Sequence, residues 1–191
     1  MPDHQRYTLF SGARRLASGD LQTVAVAARQ ALTESATLFV FSDHSGRLVD
    51  LDLRGSSAEV AARYADAGDS PPKAVRGRPK LGVVAREVTL LPRHWEWLGS
   101  QPGGASAALR RLVDQARREN AGPDRRREAQ EAAHRVMTAL AGNLVNYEDA
   151  LRAFYAGEKD QFHELIGSWP AGVGDYVRSH ADAAWEDLDA S

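Results

Sequence analysis

Apolar and polar residues alternate first with a period of two, then with a period near 3.6. Tyr7 to Leu16 reads as a strand, a turn at Ser11-Gly12 and a second strand. Asp20 precedes a run in which Leu21, Val24, Ala28 and Leu32 recur at helical spacing, and its carboxylate suits an N-cap. "TLFVF" (37–41) reads as a buried strand, and "SDHSG" (42–46) as a tight turn in which Gly46 is free to take positive φ. In "RLVDLDLRG" (47–55), Val49, Leu51 and Leu53 alternate with Asp50, Asp52 and Arg54, which predicts a half-buried strand. "SSAEVAARYADA" (56–67) reads as a short helix.

From residue 68 to 82 the pattern stops. Pro71, Pro72 and Pro79 cannot sit inside a helix, and Gly68, Gly77 and Gly82 loosen the rest, so this is a linker by composition. Val83–Leu91 is β-rich and is halted by Pro92, which suits the first turn of a helix over "PRHWEWLGSQ". "PGG" breaks that helix. A second follows, capped by Ser106, with Leu109, Leu112, Val113 and Ala116 on one face and Arg110, Arg111, Arg117 and Arg118 elsewhere, and Gly122-Pro123 ends it. Beyond residue 122 the chain reads as helices, with Asp124 as a cap, a break at Gly157, and Trp169, Tyr176 and Trp185 as core.

The predicted fold class is α+β. It has an N-terminal ββαββ module (1–67), a basic linker (68–82), a strand–helix–helix unit (83–121) and an acidic helical region (122–191).

Charge sharpens that division. Residues 73–135 hold 14 basic and 7 acidic side chains, whereas residues 136–191 hold 3 and 10. A basic block beside an acidic one implies a polyanionic partner or an internal contact between the two. Cysteine is absent, which excludes disulfides, thiolate catalysis and cysteine metal sites. No apolar run approaches membrane-spanning length, and the start of the chain lacks a signal-peptide pattern, so a cytoplasmic protein is expected.

Two motifs carry resemblances. Arg76-Gly77-Arg78-Pro79, between Lys73 and Lys80, resembles the core of an AT-hook. That resemblance implies an extended arm whose arginines enter the A·T-rich minor groove. Residues 83–119 resemble a ribbon-helix-helix domain: strand, Pro92, short helix, Gly103-Gly104 turn, small residues Ala105 to Ala108 and an amphipathic second helix. The first helix is shorter than the usual pattern. The resemblance implies a homodimer whose paired strands enter the major groove and whose second helix packs in the dimer core. It makes Arg86 the base reader with Thr89 as helper, and Arg110 and Arg111 phosphate contacts. Lys73, Arg76, Arg78 and Lys80 would anchor the backbone or minor groove. The open alternative is that Val83–Leu91 pairs inside the N-terminal sheet. "GRLVDLDLRG" and "RGRPKLGVVAREVTLLPRHWEWL" also resemble a bacterial family of unknown function.

Other chemistry is thin. Asp43, Asp50 and Asp52 could face a hard cation, but a turn closer and two water-facing carboxylates explain them. The six histidines show no metal-ligand spacing. No nucleophile elbow, P-loop or dinucleotide fingerprint occurs. The expectation is a non-enzymatic DNA-binding dimer, regulatory or nucleoid-associated, without cofactor or metal. The rival is a protein-interaction module whose basic centre is structural. Trp95 and Trp97 lie two apart on a helix, and one of them is expected to fill the core.

Overall fold

The computed structural model describes residues 5–32, 37–65, 84 and 86–189. The linker residues Lys73, Arg76, Arg78 and Lys80 lie outside the described residues. The chain divides into two units. The first combines residues 1–70 with 125–191, and the second is 71–124.

In the first unit β1 (Tyr7–Ser11) and β2 (Arg14–Gly19) form an antiparallel hairpin, and β3 (Leu38–Ser42) pairs with the other edge of β1. The sheet order is β2-β1-β3. Helix α1 (Leu21–Ala31) starts at Asp20, whose side chain accepts from the Thr23 amide at 2.7 Å. That bond holds the Asp20 carboxyl below its ordinary range. Helix α2 (Ser57–Tyr64) opens with a reciprocal capping box between Ser56 and Glu59.

Residues 48–53 differ from the expected fourth strand. Among the described residues only Phe41 and Leu48 form a bridge, and the Val49 amide donates to the Val40 carbonyl at 2.8 Å. The backbone beyond is taken by side chains. The Asp52 amide donates to the Tyr64 hydroxyl (2.7 Å), and Arg63 donates to the carbonyls of Asp52 (2.7 Å) and Arg54 (3.1 Å). Val49, Leu51 and Leu53 still pack inward beside Leu9, Val24, Ala28 and Val40. The inward period is present without the ladder.

The helical region supplies the rest of this unit. It comprises α5 (Ala121–Ala141), α6 (Tyr147–Ala156), α7 (Lys159–Ile166) and α8 (Ala171–Asp189). Gly157, at φ +74°, ends α6 and receives the turn into α7. The sequence separates this region from the N-terminal module, but the two share one core. Phe10 and Phe41 of the sheet are buried with Val136, Met137, Phe154, Phe162, Tyr176 and Trp185. Phe10 and Phe41 both contact the Tyr176 ring, at centroid distances of 5.2 and 6.0 Å. Trp185 donates its indole N–H to the Phe154 carbonyl, and Trp169 donates to that of Val145. Buried indoles need such partners.

The second unit contains α3 (Pro92–Ser100) and α4 (Gly104–Glu119). Among the described residues, no helix is long and apolar enough to cross a membrane.

Candidate nucleic-acid interface

Residues 86–91 lead into α3 outside any helix or strand, and Leu91 itself is extended at φ −67° and ψ 151°. None of Arg86 to Leu90 makes a backbone hydrogen bond among the described residues, and the segment takes no place in the three-stranded sheet. Among the described residues, the expected strand therefore has no ladder. Arg86, Glu87, Val88 and Thr89 are all exposed, and among the described residues their backbone donors and acceptors have no partner. Pro92 begins α3 where its missing N–H costs nothing, and the amides of His94 and Trp95 return to the Leu91 carbonyl.

Gly103 (φ +84°) and Gly104 (φ +73°) turn the chain from α3 into α4. Left-handed backbone at two successive positions favours glycine, so the "PGG" break is a conformational requirement. Helix α4 starts at Gly104, two residues before the expected Ser106 cap, because this glycine turn sets the entry. Its C-cap is Asn120, so it ends before Gly122-Pro123, which fall in the first turn of α5.

Only Leu98 and Ala108 are buried in these two helices. Both tryptophans are exposed, Trp95 at 43% and Trp97 at 52%, so neither fills the core as expected. Leu98 takes that place, one position on. Leu112, Val113, Val88 and Leu91 are also exposed. A hairpin of two helices with two buried apolar residues cannot bury enough surface to balance its ordering entropy.

The structure places the expected contact residues as follows. Arg86 and Thr89 are exposed on the segment that precedes α3. Arg110 and Arg111 are exposed on α4, where Arg110 Nε donates to the Ser106 carbonyl (3.2 Å) and Arg111 to that of Pro102 (3.3 Å). No hydrogen bond among the described residues joins these two pairs. Arg117 and Arg118 are exposed as well. They follow Arg110 and Arg111 by seven residues, so each pair stacks along one side of the helix. That repeat is visible in "RRLVDQARR", although the ribbon-helix-helix resemblance assigns phosphate contacts only to Arg110 and Arg111.

The three aspartates do not converge. Asp43 accepts from Tyr176, and Asp52 accepts a two-point bond from Arg54 at 2.8 Å on each oxygen. The Arg54 contacts hold the Asp52 carboxyl well below the usual carboxylate range. Among the described residues, no group of three or more His, Asp or Glu could hold a metal.

The architecture is thus that of a mixed α+β protein, mostly helical, with a small antiparallel sheet and a separate two-helix unit. The chain belongs to the bacterial family described as "Uncharacterized protein conserved in bacteria (DUF2239)", whose model matches residues 6–181. No curated protein and no solved structure matches it.

Proposed function

We propose that this protein is a dimeric bacterial DNA-binding factor, regulatory or nucleoid-associated, whose 83–121 unit pairs with that of a second copy. The observation that carries the reading is the segment 86–91. Its backbone groups are free of partners among the described residues, and it runs directly into a helix pair whose apolar side chains lie in solvent. A second copy satisfies both needs at once: one strand supplies the ladder, and the facing helices cover Leu112 and Val113.

On this reading the paired strands present Arg86 and Thr89 to the major groove. Arg110 and Arg111, extended by Arg117 and Arg118, contact phosphates. Lys73, Arg76, Arg78 and Lys80 form a basic arm for the backbone or an A·T-rich minor groove. The basic excess over residues 73–135 supplies the long-range attraction.

A mobility shift on A·T-rich and mixed duplexes over a salt series tests this. Binding by about six phosphate contacts gives a log K against log salt slope near −5. Substituting Arg110 and Arg111 by glutamine flattens that slope by about two. Absence of any shift at about 50 mM salt, where such contacts are strong, overturns the reading. A dimer by light scattering without a shift points instead to a protein-interaction module.

A further inference from the structure

A groove in the first unit, far in character from the basic helices, has the marks of a built ligand site. It has a volume of about 640 Å³ and lies between the turn after β3 and the middle of α5. Small-molecule pockets fall in this size range, with mostly apolar walls and a few placed polar groups.

The apolar part comes from Phe41, Leu48 and Ala139. Leu48 is 53% exposed there, although Phe41 beside it is fully buried. The wall formed by the turn is fixed twice. Gly46 sits so close to α5 that a Cβ would lie 2.3 Å from the Ala132 carbonyl oxygen. Arg135 reaches from α5 and donates to the Ser45 carbonyl at 2.7 Å. A groove pinned at both points keeps its shape without a ligand, which lowers the ordering cost of binding.

The polar rim is asymmetric in charge. Arg135 also pairs with Glu131 at 2.5 Å, so those two charges offset each other. Arg47 lines the same groove, and its guanidinium has no hydrogen bond or ion pair among the described residues. His134 and Thr138 complete the rim, held by the hydroxyls of Tyr155 (2.7 Å) and Tyr147 (2.9 Å). The rim therefore presents one uncompensated positive charge beside hydrogen-bonding groups, above an apolar floor.

We infer that this groove binds a small amphipathic monoanion, an aromatic or branched aliphatic carboxylate. Its carboxylate meets Arg47, and its apolar body lies on Phe41, Leu48 and Ala139. The site lies wholly within the first unit and does not depend on the DNA-binding reading.

The test is a 15N NMR titration of the full chain with 1-naphthoate, and with 1-naphthalenemethanol as its neutral counterpart. Naphthoate is expected to shift the amides of Gly46, Arg47, Leu48, Thr138 and Ala139 saturably. The alcohol is expected to bind the same amides about ten-fold more weakly, since it lacks a charge-assisted bond. Arg47→Gln should bring naphthoate down to the affinity of the alcohol while leaving the alcohol unchanged. Thr138→Trp, at an exposed position, should abolish both with the thermal midpoint retained. Shifts confined to residues 84–119, no saturable shift, equal affinities for acid and alcohol, or an unchanged Arg47→Gln titration would each overturn the proposal.

Discussion

The Tyr176 hydroxyl donates to Asp43 Oδ1 at 2.8 Å, across a sequence separation of 133 residues. It ties α8 to the turn after β3 while the Tyr176 ring packs on Phe10 and Phe41. Burial, together with the Asp43 charge, pushes the tyrosine pKa far up, so the phenol stays a donor throughout the accessible pH range. Tyr176→Phe keeps the ring and removes the bond to a charged acceptor. The expected loss is about 1.5–3 kcal/mol of unfolding free energy, read from urea denaturation. Tyr147→Phe, whose hydroxyl meets exposed Thr138 at 2.9 Å, should cost less than about 1 kcal/mol.

His180 packs edge-on against Tyr176 at 4.6 Å, is 8% exposed, and its Nε2 has no partner among the described residues. Burial lowers its pKa below 6.5, with Asp43 pulling weakly the other way. The neutral ring is thus favoured in the folded state. The unfolded chain takes up the proton first as pH falls. Its contribution to stability is complete above about pH 6.5 and is lost as pH falls below that value. Urea midpoints at pH 7.5 and pH 5 should differ more for the native protein than for His180→Phe. Equal differences would remove His180 as the cause.

Two glycines separate strain from close contact. Gly46 has φ +62° and the Ala132 backbone where a Cβ would stand, whereas Gly12 has φ +55° and open space there. Gly12→Ala should cost about 1–2 kcal/mol, the price of left-handed backbone alone. Gly46→Ala adds displacement of α5 and should cost about 3 kcal/mol or more, in the range of severe core changes. Thermal melts of the two variants compare them directly.

Exposed Leu112 and Val113 should be covered when two copies pair. Leu112→Asp together with Val113→Asp is expected to convert a dimer to a monomer in light scattering and to lower the helix signal in circular dichroism, because the helix pair alone cannot balance its ordering entropy. The fluorescence of Trp95 and Trp97 should then become more accessible to acrylamide, while that of Trp169 and Trp185, at 6% and 1% exposure, stays protected. A double variant that remains dimeric would place the contact between copies elsewhere.

Local pattern carried much of this fold and little of its assembly. The Asp20 cap, the turn at Gly46, the Gly157 break and the buried Trp169, Tyr176 and Trp185 all follow from spacing and residue type, because their causes lie within a few residues. The segment 49–53 shows the boundary. Its alternation correctly turns Val49, Leu51 and Leu53 inward, yet Arg63 and Tyr64, on α2, occupy the backbone groups that a strand would have used. Periodicity reports which face is buried, not which donor fills a carbonyl. The shared core escaped for a related reason: the linker composition marks a boundary at residues 68–82, and nothing local says that the chain returns. The groove around Arg47 had no signature either, since its walls come from residues about 90 apart, as in the bond from Arg135 to Ser45.

Because the first unit is closed by residues from both sides of the 71–124 segment, its assembly has an order in time. A ribosome delivers Phe10 and Phe41 first, and Tyr176 and Trp185 more than a hundred residues later. The hairpin and α1 can form on emergence, since their contacts are local, but the sheet's aromatic face is not fully covered until α8 has been made. Any product that stops short of α8 exposes that face permanently. Such fragments should be drawn to chaperones and proteases, so a nonsense codon late in the message should be as damaging as an early one.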